Sequence, residues 1–316
     1  MKLRDLILVP AIAALVLIGA FVDPAFLSGD NLIGLLRQQS ELALLVLAEA
    51  VILIAGRVDL SLESTVGLAP ALAVTLVVSG LPPWSAIPLC LLAGVLVGVL
   101  NALLAVQFRL SAFAATLGTL IVLRGLHTGV SDGNDLTTLP GAIGYLGAAR
   151  WIGVPASIWI CGVLLLAAAV FLGLFRHGRS IYAIGGNIDA ARAAGIHARR
   201  VLWVAFAAAG LLTALAGMLI TGRLGSVAEA QGQGMIFTVL AAAIIGGVSL
   251  NGGKGTVFGA LCGVLVLGLT DNVLRLAGVA GTWIQAVYGA AVIAALVLAR
   301  VLSRRQAPRS PSAAVP

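Results

Sequence analysis

The sequence predicts an all-α polytopic integral membrane protein, and three observations lead there. Apolar residues make up 60% of the 316 and charged ones only 10%, with a mean hydropathy of +1.11. A soluble domain carries about a quarter charged residues. Continuous apolar runs at 6–22, 88–106, 158–175 and 284–302 reach or approach the roughly 17–25 residues a helix needs to cross the hydrocarbon core. Those runs are rich in Leu, Ala, Val and Gly and lack the alternation of barrel strands.

Ten spans are expected in order, at 6–22, 42–56, 64–79, 86–106, 112–130, 156–175, 201–221, 236–250, 256–274 and 284–302. The first follows the basic start "MKLR" and ends in "FVDPAF" without a small-x-small cleavage site, so it reads as a retained helix rather than a signal peptide. With the N-terminus inside, fourteen of the nineteen Lys and Arg residues fall on cytoplasmic segments: Lys2, Arg4, Arg57, Arg109, Arg176, Arg179, Arg192, Arg199, Arg200, Lys254, Arg300, Arg304, Arg305 and Arg309. This bias places both termini in the cytoplasm. The connection 131–155 is the longest external one, rich in turn-formers. Residues 1–302 form one transmembrane domain with a cytoplasmic loop at 176–200, and the Pro- and Ser-rich tail 303–316 is expected to be disordered. Thirty-nine glycines point to close helix packing. The segments "ILIAGRVDLSLES" and "LITGRLGSVAEA" echo each other on opposite sides, as an inverted repeat of spans 2–5 and 7–10 would produce; chance accounts for so short a match equally well.

Several chemistries find no support. Cys90, Cys161 and Cys262 lie inside apolar runs and read as buried thiols, and His127, His177 and His197 lack metal-ligand spacing. "GGVSLNGGKGT" imitates a phosphate loop but has Val248 and Gly255 where that loop needs Gly and Ser or Thr. It reads as a Gly-rich turn. The basic residues are not interleaved with aromatics, so no nucleic-acid partner is implied, and no metal, cofactor or catalytic constellation emerges.

Ionisable residues inside spans mark functional candidates. Glu49 is one, either cavity-facing or paired with Arg124 of the fifth span. In "GRVDLSLES", Asp59 or Ser61 can cap the third span and Glu63 suits its dipole, the alternative being a gating role for Arg57, Asp59, Ser61 and Glu63. Asp271 and Arg275, four apart, are expected to pair on one helix face.

The stretch "GGNIDAARAAGIHARRV" interrupts this apolar chain with charge. Asn187 can cap a short helix with Asp189 in its first turn, and Gly195 can end it. "DAARAAG" matches the cytoplasmic-loop core of bacterial ABC importer permeases, with Asp189 for the usual Glu. Together with "GRVDLSLES", "FAATLGTLIVLRGL" and "AAAIIGGVSLNGGKGTVFGALCGVLVLGL", the chain over about residues 30–300 resembles the permease family of ribose-type and related sugar ABC importers. That resemblance implies a subunit without its own catalysis, importing a sugar or related polar solute across the bacterial inner membrane. The implied partners are a cytoplasmic ATPase carrying ATP and Mg, a periplasmic or extracellular solute-binding protein, and a second permease copy or paralogue. Gly186, Asn187, Asp189, Ala190, Ala191, Arg192, Gly195 and Ile196 become the ATPase-coupling helix, with Ala191 and Gly195 facing the ATPase together. Arg57 and Glu63 depart from glycine positions of the family pattern, which weakens inference of the solute from relatives. A self-contained secondary transporter, or an importer of nucleosides or branched-chain amino acids, stands as the alternative.

Overall fold

The computed structural model describes residues 3–281 and positions 283, 286, 287, 289, 290 and 293, with side chains from residue 8 onward. Most of the expected tenth span, the tail 303–316, and Lys2, Arg300, Arg304, Arg305 and Arg309 lie outside the described residues. Within them run α1 (Leu3–Val22), α2 (Gly29–Ile54), α3 (Leu62–Val78), α4 (Ala86–Ala102), α5 (Ala112–Ser131), α6 (Gly141–Ala148), α7 (Ala156–Leu174), α8 (Arg176–Gly186), α9 (Ile188–Ala193), α10 (Ala198–Leu224), α11 (Met235–Ile245) and α12 (Val257–Leu276). A two-residue hairpin, β1 (Arg150–Trp151) and β2 (Val154–Pro155), precedes α7. Nine of these helices follow the first nine expected spans in order, which makes the chain an all-α, multi-pass membrane protein. Five of the described helical stretches are long and apolar enough to cross a membrane by themselves: Pro83–Gln107, α5, α7, α10 and α12.

Two boundaries differ from expectation for a physical reason. Helix α2 begins at Gly29, well before residue 42, because its polar first half finds partners. Glu41 pairs with Arg223 of α10 at 2.8 Å, and Asn31 exchanges side-chain hydrogen bonds with Asn272 of α12 at 2.8 and 3.1 Å. The connection 131–155 contains a helix the sequence did not announce, α6, which lies against the end of α10 with Gly147 on Gly222 backbone, while Arg37 donates to the Gly147 carbonyl.

Helix α10 is the central post. It packs along α4 where Gly94, Gly98 and Gly210 let the two backbones touch: a methyl on any of them would overlap a carbonyl of the other helix. Small residues at such crossings allow the close approach that drives helix association in lipid. On its other side Gly217 lies against the Val66 carbonyl of α3.

The order of elements repeats. Long α2 (26 residues) and long α10 (27 residues) are each followed by an irregular link, 55–61 and 225–234, and then by a shorter helix, α3 (17 residues) or α11 (11 residues). At 1.5 Å per residue α11 is about 16 Å long, roughly half the hydrocarbon thickness. The second link dips into the bundle until Gly232 rests on the Glu63 carbonyl in the first turn of α3.

Gln231 holds that junction together. Pro70 interrupts α3 and has no N–H, so the carbonyl four residues earlier, that of Val66, loses its helical donor. Gln231 Nε2 donates to it at 2.8 Å, with longer contacts to the Gly217 carbonyl (3.2 Å) and Thr221 Oγ1 (3.1 Å). Gln231→Leu is therefore expected to cost about 1–3 kcal/mol by stranding a buried carbonyl. Pro70→Ala restores an N–H for Val66, so the double variant should lose less than Gln231→Leu alone. Thermal midpoints of the purified variants would check this, and a plain sum of the two single effects would refute the coupling.

Candidate functional site

The polar and charged residues group into three levels along the bundle. At the face carrying Arg57, Arg109 and Lys254, hereafter the basic face, α8 and α9 lie across the helix ends. Asn187 caps α9 as expected, its Oδ1 accepting from the N–H groups of Asp189 and Ala190 at 3.0 Å each. Gly195 follows the helix at φ +80°, a conformation suited to glycine. Asp189 and Arg192 pair at 3.4 Å in the open, a contact of small energetic weight. Gly186, Asn187, Asp189, Ala190, Arg192 and Gly195 are exposed. Two expectations need correction. Ala191 is only 4% exposed and packs into the protein's own core, and Ile196 is half-buried against the same core. Ala191 and Gly195 therefore do not face outward together, because the turn that presents the polar face must bury its opposite side.

The α8–α9 unit is bolted to the bundle by glycine. A methyl at Gly185 would overlap the Ile54 carbonyl at the end of α2, while Gly253 N–H donates to that same carbonyl at 2.8 Å. Gly56 and Gly252 close the junction against Gly185. Tyr182 Oη donates to the Gly255 carbonyl at 3.1 Å, and burial raises the phenol above its ordinary pKa. The false phosphate loop is thus the Gly-rich turn that lets three backbones meet.

One level deeper, the link 55–61 carries a buried network. Asp59 Oδ1 accepts from the N–H and Oγ of Ser61 at 3.0 and 2.7 Å. Asn101 of α4 donates to both Asp59 oxygens and to Ser61 Oγ, the last at 2.6 Å. Thr116 of α5 accepts from the Leu60 N–H at 3.1 Å. Glu49, fully buried, accepts from the Asp59 N–H at 3.3 and 3.4 Å. The cap expected of Asp59 or Ser61 is replaced by this network: Ser61 occupies the cap position of α3 without a side-chain cap bond, because its hydroxyl is engaged by Asp59 and Asn101. Arg57 is half-buried at the basic face and opens onto a cavity there.

Deeper still, just past the middle of α5, Arg124 approaches Glu63 at 3.6 Å and donates to the Gln231 carbonyl at 3.4 Å. The alternative Glu49–Arg124 pair is not formed; Glu49 belongs to the link below, and Glu63 takes the arginine. Beside them His127 is fully buried with neither ring nitrogen hydrogen-bonded, in the space left by the missing side chain of Gly67. Above, Thr128 donates to Glu229, whose N–H donates to Asp135. Glu63 and Arg124 were legible as ionisable residues in spans; Asn101 and Thr116 were not, since a single uncharged polar residue in an apolar run carries no spacing signal, and Gln231 sits in a polar connection that gives no sign of reaching into the bundle. Asp271 and Arg275 pair at 2.7 Å on α12 as expected, and Cys90, Cys161 and Cys262 are buried, with no disulfide among the described residues. No cluster of metal-ligating residues occurs among the described residues.

Irregular backbone buried at two levels of a membrane bundle, the link 55–61 with its Asp59 network and the link 225–234 seated through Gln231 on α3, defines a transport permease, since such backbone at membrane depth is tolerated where it is buried in protein or lines a passage. The particular kind follows from comparison. Residues 31–296 match the family described as branched-chain amino acid transport system, permease component, and the chain belongs to that family of ABC importer permeases. It is 34% identical to the ribose import permease protein of Haemophilus influenzae over 92% of this chain and 90% of the relative, and 36% identical to that of Bacillus subtilis over 90% and 89%. The autoinducer 2 import system permease protein of Klebsiella pneumoniae is 34% identical over 94% of this chain and 87% of its own.

The partly buried pair yields a double-mutant test. Glu63→Gln or Arg124→Gln alone leaves one charge without its partner and is expected to destabilise by about 1–3 kcal/mol. The double variant should recover much of that loss, whereas Glu49→Gln combined with Arg124→Gln should be additive. Assembled yield and thermal midpoint of the variants measure it, and equal coupling in both cycles would contradict the pairing.

Proposed function

We propose that this chain is the permease subunit through which a sugar or related polar solute of the ribose class crosses the bacterial inner membrane, with the basic face and both termini in the cytoplasm. A separate ATPase subunit binds ATP and Mg and docks on the exposed face of α9, a solute-binding protein delivers the solute on the opposite side, and a second permease copy or paralogue completes the pathway. The observation that carries this reading is the bolted α8–α9 unit. An exposed polar helix is joined through Gly185 to the end of α2, and α2 leads directly into the link 55–61 and its Asp59 network. A displacement imposed on α9 therefore reaches the membrane interior through backbone contacts rather than through a soft side chain. The ribose and autoinducer 2 relatives support the solute class, because both share nearly the whole length of the chain.

Within the pathway, Glu63, Arg124 and Gln231 form the polar contact for the solute. Hydroxyl groups both donate and accept, so they suit a guanidinium, a carboxylate and a carbonyl set side by side.

The test uses the full chain with its ATPase and binding protein in proteoliposomes, supplied separately with D-ribose and with autoinducer 2. Uptake of D-ribose is expected, together with binding-protein-stimulated ATP hydrolysis; uptake of autoinducer 2 alone would move the solute to that class, and uptake of neither would reject both. Ala190→Trp, on the exposed face of α9, should lower stimulated hydrolysis about tenfold or more, corresponding to about 1.4 kcal/mol of lost docking, while leaving the permease inserted. Ala191→Trp should instead reduce assembled yield, since it overfills a buried site. Undiminished stimulation in Ala190→Trp would defeat the docking assignment.

A further inference from the structure

The basic face holds a cavity of about 1220 Å³ between the α4–α5 connection, α9 and the first turns of α10. Arg57, Arg109, Arg192, Arg199 and Arg200 line it with His197, and among the described residues no Asp or Glu does. Arg192 is engaged with Asp189, and Arg199 donates to Gln107; Arg57, Arg109 and Arg200 have no acidic partner among the described residues. Arg109 is held at φ +58°, a left-handed conformation uncommon for a long side chain. Arginines that merely anchor topology spread outward to separate headgroups, whereas these converge on one space.

One wall of the cavity is apolar and open. Leu110 and Val204 in its wall are 49% and 65% exposed, and Trp203 stands beside them. It also continues into a second hollow of about 640 Å³, with Arg200 and Val204 lining both. That second hollow is an apolar trough between α7 and α10, walled by Leu164, Phe171, Ala208 and Leu211 and floored by Leu47 and Val51 of α2. Positive charge thus stands at one end of a groove shaped for hydrocarbon.

We propose that this composite cavity binds an anionic glycerophospholipid, its phosphate held by Arg109, Arg199 and Arg200 and one acyl chain laid in the α7–α10 trough. Two features select a lipid over a soluble phosphate compound: the opening faces the apolar surface of the bundle, and apart from Arg200 and His177 the trough is lined by apolar side chains, which suit an acyl chain and not a second charged group. A basic pocket between membrane helices has the chemistry for such headgroups. The site also touches Ile188 and Arg192 of α9, so its occupant would brace the unit to which the ATPase is proposed to dock. The binding itself rests only on the chain being embedded in a membrane, and it stands whichever solute is carried.

The experiment places the purified full-length permease in nanodiscs of phosphatidylcholine with or without phosphatidylglycerol and counts retained lipid by native mass spectrometry after release into detergent. Retained phosphatidylglycerol in preference to phosphatidylcholine is expected. The triple variant Arg109→Gln, Arg199→Gln, Arg200→Gln should weaken retention about a hundredfold, at about fivefold per charge. The corresponding triple Lys variant keeps the charge and serves as the control for folding, retaining part of the lipid. Ala208→Phe, which fills the trough without touching the charges, should also reduce retention. Equal retention by the wild type and both altered forms would overturn the site. So would displacement of the lipid, or equal thermal protection, by inorganic phosphate alone, since either outcome makes the cavity a receptor for a soluble anion.

Discussion

Everything in this bundle answers to the absence of water in the hydrocarbon core, which obliges each backbone group inside it to find a partner within the protein. Ordinary spanning helices meet that demand by themselves. The two links 55–61 and 225–234 do not, and neither does α3 with its interior proline. Side chains make up the difference. Gln231 supplies the donor that Pro70 removes, Thr116 accepts from Leu60, and Asn101 with Ser61 surrounds the Asp59 carboxylate. The polar residues that look costly in a membrane segment are therefore what permits the helices to be broken there.

Broken helices make a passage possible, and glycine makes it mechanically continuous. Where Gly94, Gly98 and Gly210 bring α4 against α10, the contact is between main chains. The same is true at Gly185, Gly56, Gly252 and Gly253, where α8, the end of α2 and the α11–α12 turn meet. Main-chain contacts have little slack compared with long side chains, so a displacement of α9, the proposed docking helix, would carry into the membrane interior. Burial of Ala191 belongs to the same design: one side of α9 is spent on attachment, leaving the other for a partner.

The charged residues divide by depth in a way that composition alone does not reveal. Glu41–Arg223 and Glu63–Arg124 are pairs drawn from distant parts of the chain. Arg57, Arg109 and Arg200 stand at the basic face without an acidic partner among the described residues. The first group stabilises the arrangement of helices, and the second leaves a positively charged hollow at the edge of the bundle.

The sequence by itself determined the class of the molecule, the order of nine helices among the described residues, the basic face and the capped helix after Asn187. Each of these rests on local properties: hydropathy summed over a span, charge in a connection, a capping side chain next to the N–H groups it serves. It also marked Glu49, Asp59, Ser61, Glu63 and Arg124 as worth explaining, because ionisable or polar residues beside apolar runs stand out. The tertiary structure decided the partners. That Arg124 goes to Glu63 rather than Glu49 depends on where α3 starts relative to α5, and no spacing along the chain encodes that register. Helix α2 extends back to Gly29 because Arg223 and Asn272 lie within reach of its polar half. Gln231 matters because the carbonyl it serves lies on α3, 165 residues away in sequence. Pair interactions across a bundle are set by helix packing, and only the folded chain brings their two halves together.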